Sequence, residues 1–153
     1  MNNKLAGLML AVLFFWGLFS TGNAAASGGI QWYSYERGME LGKKENKKIF
    51  LHFWAEWCDS CKKMAKETFT DSAVIAYLNK NFISIKVNSD KERALATEYN
   101  VRGVPDNWFI AEKNEIIGNQ PGNIPPDMLL PLLRYIHTDS YKKMSYSKFL
   151  NLK

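Results

Sequence analysis

Both cysteines of the chain, Cys58 and Cys61, lie in the stretch Trp57-Cys58-Asp59-Ser60-Cys61. A pair at this spacing has four chemical readings: a structural staple, half a metal site, a haem attachment point or a redox switch. A bridge that closes so small a loop constrains the unfolded chain little, which makes it a poor staple. Covalent haem requires a histidine directly after the second cysteine, and Lys62 stands there. Zinc could draw on Cys58, Cys61, His52 and His137, but His52 sits inside an apolar run and His137 ends a distant segment, so no metal is expected. Reversible thiol chemistry remains. With Cys58 just outside a helix N-terminus, the free amides and the helix dipole favour its thiolate and lower its pKa below about 8.5. Cys61, one turn further on, then reaches the Cys58 sulfur. Cys58 can attack a substrate disulfide and Cys61 can resolve the mixed disulfide. Trp57 flanks the pair with a flat apolar surface.

Such a pair needs a strand to deliver it and a helix to carry it. The compact apolar run Lys48–Ala55 (KIFLHFWA) has the length of a buried central strand, and the residues from Cys58 to Phe69 read as the helix that follows. Upstream, Gly29–Trp32 reads as a short edge strand. The segment from Ser34 to Lys48 reads as a helix with Ser34 as its N-cap and Tyr35, Met39 and Leu41 inward. Downstream, Asp71–Asn81 is a second helix with Asp71 or Ser72 as cap and Val74, Ile75 and Leu78 inward. Phe82–Asn88 alternates with period two and is a strand, and KERALATEYN is a short helix ending near Asn100. Strands at Asn107–Ala111 and Glu115–Gly118 form a hairpin turning at Lys113-Asn114. A helix over Pro125–His137 contains Pro131, a potential kink. The order β-α-β-α-α-β-α-β-β-α implies a mixed sheet with helices on both faces. Residues 139–153 carry scattered aromatics and lysines, and the alternatives of a docked helix and a loose tail stay open.

The stretch FLHFWAEWCDSCKKM strongly resembles the active-site segment of thioredoxins. A second mark is VRGVP (Val101–Pro105), separated from the cysteines by a helix, a strand and a helix. The resemblance implies an α/β thioredoxin fold over roughly Ile30 to His137. It implies that Cys58 is the nucleophile and Cys61 the resolving thiol. It implies that Pro105 is a cis-proline facing the cysteines, with Val104 and Pro105 shaping the substrate groove. The stretches around the cysteines, GMELGKKENKKIFLHFWAEWC and KETFTDSAVIAYLNKNFISIKVN, are further similar to exported thioredoxin-like proteins and to the C-terminal periplasmic domain of the transmembrane thiol–disulfide interchange reductase. Three departures stand out. Thioredoxins carry a buried acid where this chain has His52, a residue with an ordinary pKa of about 6.5 that suits either a proton relay for the resolving thiol or a neutral core position. The dipeptide between the cysteines is Asp59-Ser60, and an anionic Asp59 should oppose the Cys58 thiolate and make the couple more reducing. After Pro105 comes Asp106-Asn107, which bears on substrate preference.

The 153 residues are sized for one domain behind a leader. Lys4 precedes the apolar run Leu5–Phe19 and a small-residue exit through Ala24-Ala25-Ala26, the pattern of a secretory signal peptide over residues 1–26, with an uncleaved membrane anchor as the alternative. The expected domain is 27–138, with 139–153 as a tail. The net charge of +5 is spread over many short lysine groups, so no nucleic-acid partner is expected. The expected protein is a periplasmic, monomeric disulfide reductase with no bound cofactor beyond its redox-active disulfide. It would take electrons from a membrane thiol reductant and pass them to protein disulfides, cytochrome c apoproteins among them. The rival readings are a disulfide oxidase or isomerase, and a non-enzymatic binding or chaperone module of the same fold.

Overall fold

The computed structural model describes residues 28–152, so the expected leader lies outside the described residues. Five strands form one sheet: β1 (Trp32–Tyr33), β2 (Lys48–Trp54), β3 (Phe82–Asn88), β4 (Asp106–Ile110) and β5 (Ile116–Pro121), in the order β1-β3-β2-β4-β5. β3 runs parallel to β1 and β2, and β4 runs antiparallel to β2 and β5. The helices are α1 (Tyr35–Glu45), α2 (Asp59–Glu67), α3 (Ser72–Asn81), α4 (Arg93–Glu98), α5 (Pro126–His137) and α6 (Tyr146–Leu150).

β2 occupies the centre of the sheet because both its faces are apolar. Ile49, Leu51 and Phe53 pack with Leu41 of α1 and Ala96 of α4 on one side. Phe50, on the other, packs with Met64 of α2, Val74 and Leu78 of α3, and Leu129 and Leu133 of α5. The two helical layers hold the strand that delivers the cysteines.

Local signals set most boundaries. The Ser34 hydroxyl accepts from Arg37 N, and the Asp71 carboxylate accepts from Ala73 N and Val74 N, each at a helix start. α1 ends at Glu45, short of the sequence expectation, because Asn46 turns into the left-handed conformation (φ 51°). Gly38 lets α1 close onto β3: a Cβ there would fall inside the Ile85 side chain. β5 runs to Pro121, past the expected Gly118, because β4 pairing continues to Asp106 opposite Pro121, with an irregularity at Phe109/Ile110. α5 is one helix with Pro131 inside it. The tail docks: Tyr135 OH donates to Met144 O at 2.6 Å, and the Tyr135 ring meets Tyr146 and Phe149. Lys48, almost fully buried at the start of β2, pairs with Glu112 at 2.6 Å and Asp139 at 3.3 Å, tying the tail to the central strand.

Candidate active site

β2 ends at Trp54, and the chain turns through Ala55-Glu56-Trp57 into α2. Cys58 is the N-cap residue. Its backbone is extended, and its Sγ accepts the Cys61 N–H at 3.0 Å. The sulfur itself occupies the place a capping oxygen usually takes, so an amide at the positive end of the helix points at the atom on which thiolate charge would develop. Cys58 and Cys61 are joined as a disulfide with their Cα atoms 5.2 Å apart.

The Val104–Pro105 peptide is cis and lies against this turn. Val104 O is 3.4 Å from Cys58 Sγ, and Val104 packs with Ala55, Cys58 and Cys61. Both cysteines are buried, whereas Trp57 is 66% exposed and donates from Nε1 to Asp90 Oδ2 at 2.9 Å. The pair is thus bordered by an exposed aromatic on one side and by the Val104–Pro105 turn on the other. Asp59 extends into solvent, 3.4 Å from Lys62 Nζ. A carboxylate so exposed and so close to an ammonium acts on Cys58 only weakly, so the reducing effect expected of Asp59 is small.

His52 lies one layer below, among Trp32, Phe50 and Phe69, and makes no hydrogen bond to either cysteine among the described residues. Its Nδ1 is 2.8 Å from Asn107 Oδ1. Asn107 Nδ2 donates to Gln120 O and Gly122 O, so its oxygen must face the imidazole. Nδ1 therefore carries the proton, and Nε2 is left as the basic nitrogen. Burial lowers the His52 pKa to about 4, with the Asn107 hydrogen bond opposing the shift and the Lys86 charge adding to it. His52 is neutral at neutral pH. The two unusual residues His52 and Asn107 are thus partners, directly opposite each other across β2 and β4.

Lys86 is the residue the sequence reading passed over. It sits opposite His52 on β3, with Nζ 4.4 Å from the Trp54 ring centre and 5.9 Å from that of Trp32. Burial lowers its pKa. The signal available in the sequence was a lone lysine inside a strand whose neighbours are apolar. His137 is remote from the site, hydrogen-bonded to Tyr77 OH at 3.0 Å. Among the described residues no group of three or more His, Cys, Asp or Glu side chains could hold a metal ion. Nor is any helix among them long and apolar enough to cross a membrane.

A family model described as a thioredoxin-like domain matches residues 35–137. The thiol:disulfide interchange protein DsbD of Haemophilus ducreyi is 33% identical over 87 residues, 55% of this chain and 15% of that protein. The protein disulfide isomerase-like 5-2 of Oryza sativa subsp. japonica is 42% identical over 57 residues, 37% of this chain and 14% of that protein. The chain therefore spans only a small part of these relatives. Among solved structures, a thioredoxin from Thermus thermophilus superposes with a TM-score of 0.65 at 26% identity, covering 70% of this chain and 86% of that one. The oxidised C-terminal domain of DsbD from Neisseria meningitidis gives a TM-score of 0.57 at 25% identity, covering 66% of this chain and 91% of that one.

Proposed function

Because the chain belongs to the thioredoxin-like family, we propose that it is an exported thiol–disulfide oxidoreductase that reduces protein disulfides through Cys58 and Cys61. The observation that carries this reading is the Cys61 amide aimed at Cys58 Sγ at the start of α2. In the reduced protein the Cys58 thiolate attacks one sulfur of a substrate disulfide, and the other sulfur leaves as a thiol after taking a proton. Cys61 then loses its proton and attacks Cys58 Sγ, releasing the second substrate thiol and re-forming the Cys58–Cys61 disulfide. Two electrons and two protons pass to the substrate.

Trp57, Val104 and Pro105 are the substrate-facing residues in this reading, since they border Cys58, whose sulfur attacks the substrate. His52 is the proposed proton acceptor for Cys61. Its Nε2 is the free basic nitrogen, and with a pKa of about 4 it holds the proton only transiently. The resemblance to DsbD supports a periplasmic site of action, a membrane thiol reductant as electron donor and protein disulfides as substrates. The domain is taken as residues 27–138 with a removable leader, acting as a monomer without a bound cofactor.

The test is disulfide reduction by the pre-reduced protein, followed as release of substrate thiols. Cys58→Ser should abolish it, and Cys61→Ser should trap the substrate as a mixed disulfide on Cys58. Reduction undiminished in Cys58→Ser would refute the reading. For direction, equilibration with thiol buffers should place the couple near about −270 mV, the thioredoxin value; a potential near about −120 mV would make the protein a disulfide donor instead.

A further inference from the structure

Beside the Val104–Pro105 turn, a cleft of about 460 Å³ opens between that turn and β5. Its wall contains Asp106, a residue only 4% exposed. The carboxylate accepts from Trp108 Nε1 at 3.0 Å and from Asn119 Nδ2 at 2.9 Å, and both donors belong to residues that line the same cleft. These donors are neutral, and they use two of the roughly four acceptor positions of a carboxylate. No basic side chain forms an ion pair with Asp106 among the described residues; Arg102, also on the cleft lining, is exposed and unpaired with it. A buried carboxylate held by neutral donors alone is left without a counter-charge.

We propose that this cleft is a specificity site that takes a lysine or arginine side chain of the polypeptide substrate, with Asp106 as its counter-ion. The inference rests on the oxidoreductase reading above and names the substrate class of that same site. The position suits it: the cleft continues from Val104, whose carbonyl is 3.4 Å from Cys58 Sγ, the attacking sulfur, so a residue close to the target cysteine reaches it. The walls suit it as well. Trp108, partly exposed and backed edge to face by the buried Tyr99, offers aromatic surface to an aliphatic stem and a cationic head. The signal in the sequence was the acidic residue directly after Pro105.

The experiment uses the pre-reduced chain and three peptides, each with one intramolecular disulfide, differing only at the residue flanking the target cysteine: arginine, norleucine or glutamate. Each turnover moves two electrons from the Cys58/Cys61 pair to the peptide disulfide, with one proton from Cys61 and one from solvent. Single-turnover rates should favour arginine over norleucine by roughly tenfold, the order of one partly desolvated charge pair. Asp106→Asn should bring that ratio close to one, and glutamate should be slower than norleucine in the unaltered protein. Equal rates for the three peptides would overturn the specificity site and leave the oxidoreductase reading standing. Failure of all three to oxidise the dithiol would overturn the oxidoreductase reading itself. Should Asp106→Asn not fold, the peptide series on the unaltered protein decides: a glutamate peptide reduced as fast as the arginine peptide would refute pairing with Asp106.

Discussion

Protonating His52 should cost the folded protein much of its stability. An unfolded histidine takes up a proton below about pH 6.5, whereas the buried ring does so only near 4. Over that window the unfolded state binds more protons, so stability is fully present above pH 6.5 and lost as pH falls towards 4. The difference between these two values, at about 1.4 kcal/mol per pKa unit, makes the loss about 3 kcal/mol. This is a large share of the roughly 5–15 kcal/mol that holds a typical domain together. Carboxylates titrate in the same range, so the contribution has to be isolated by comparison with His52→Phe, which keeps an aromatic ring among Trp32, Phe50 and Phe69. That substitution leaves Asn107 Oδ1 without its donor, a penalty that is the same at every pH. Urea unfolding of both oxidised proteins across the window gives the difference in stability as a function of pH. The unaltered protein should lose about 3 kcal/mol more than His52→Phe between neutral pH and pH 4. A difference that stays flat to within about 1 kcal/mol would show that the imidazole titrates normally and that its burial has been misjudged.

Three further outcomes follow from the packing. Gly38→Ala gains helix propensity of about 1 kcal/mol but drives a methyl group into Ile85, so thermal unfolding should show a net loss of about 1–2 kcal/mol; a stabilised variant would mean that α1 sits further from β3. Glu112→Ala strips the buried Lys48 of its nearer partner and should cost about 2 kcal/mol in urea unfolding, whereas Lys48→Met together with Glu112→Ala should cost less than the single change. Asp71→Ala removes the acceptor of two amides at the start of α3 and should cost about 1 kcal/mol, measured in the same way; no change would show those amides to be satisfied by water.

Much of the fold was legible because its signals are local. Capping by Ser34 and Asp71, the period of Phe82–Asn88 and the apolar run of Ile49–Trp54, broken by His52 alone, act within one turn or one strand, and the structure follows them. Boundaries moved where a single backbone geometry or a partner strand decided: Asn46 stops α1, and pairing with β4 carries β5 on to Pro121. The tail was open in the sequence because Tyr146 and Phe149 are equally compatible with solvent and with a docking surface; α5 supplies that surface through Tyr135.

The sequence by itself determined the chemistry of the site. Two cysteines one helical turn apart, behind an apolar strand and ahead of Val104-Pro105, set out a thiol–disulfide centre, because the sulfur chemistry depends on spacing along the chain. Tertiary structure alone decided what surrounds that centre. It buried His52 among aromatic rings, which lowers its proton affinity, and gave its Nδ1 a partner in Asn107, 55 positions away. It set Asp59 in solvent and Asp106 in a cleft wall, although both are acidic residues flanking the site. Proton affinity and the strength of a charge depend on burial and on partners brought from distant strands, and neither quantity is carried by the order of residues along the chain.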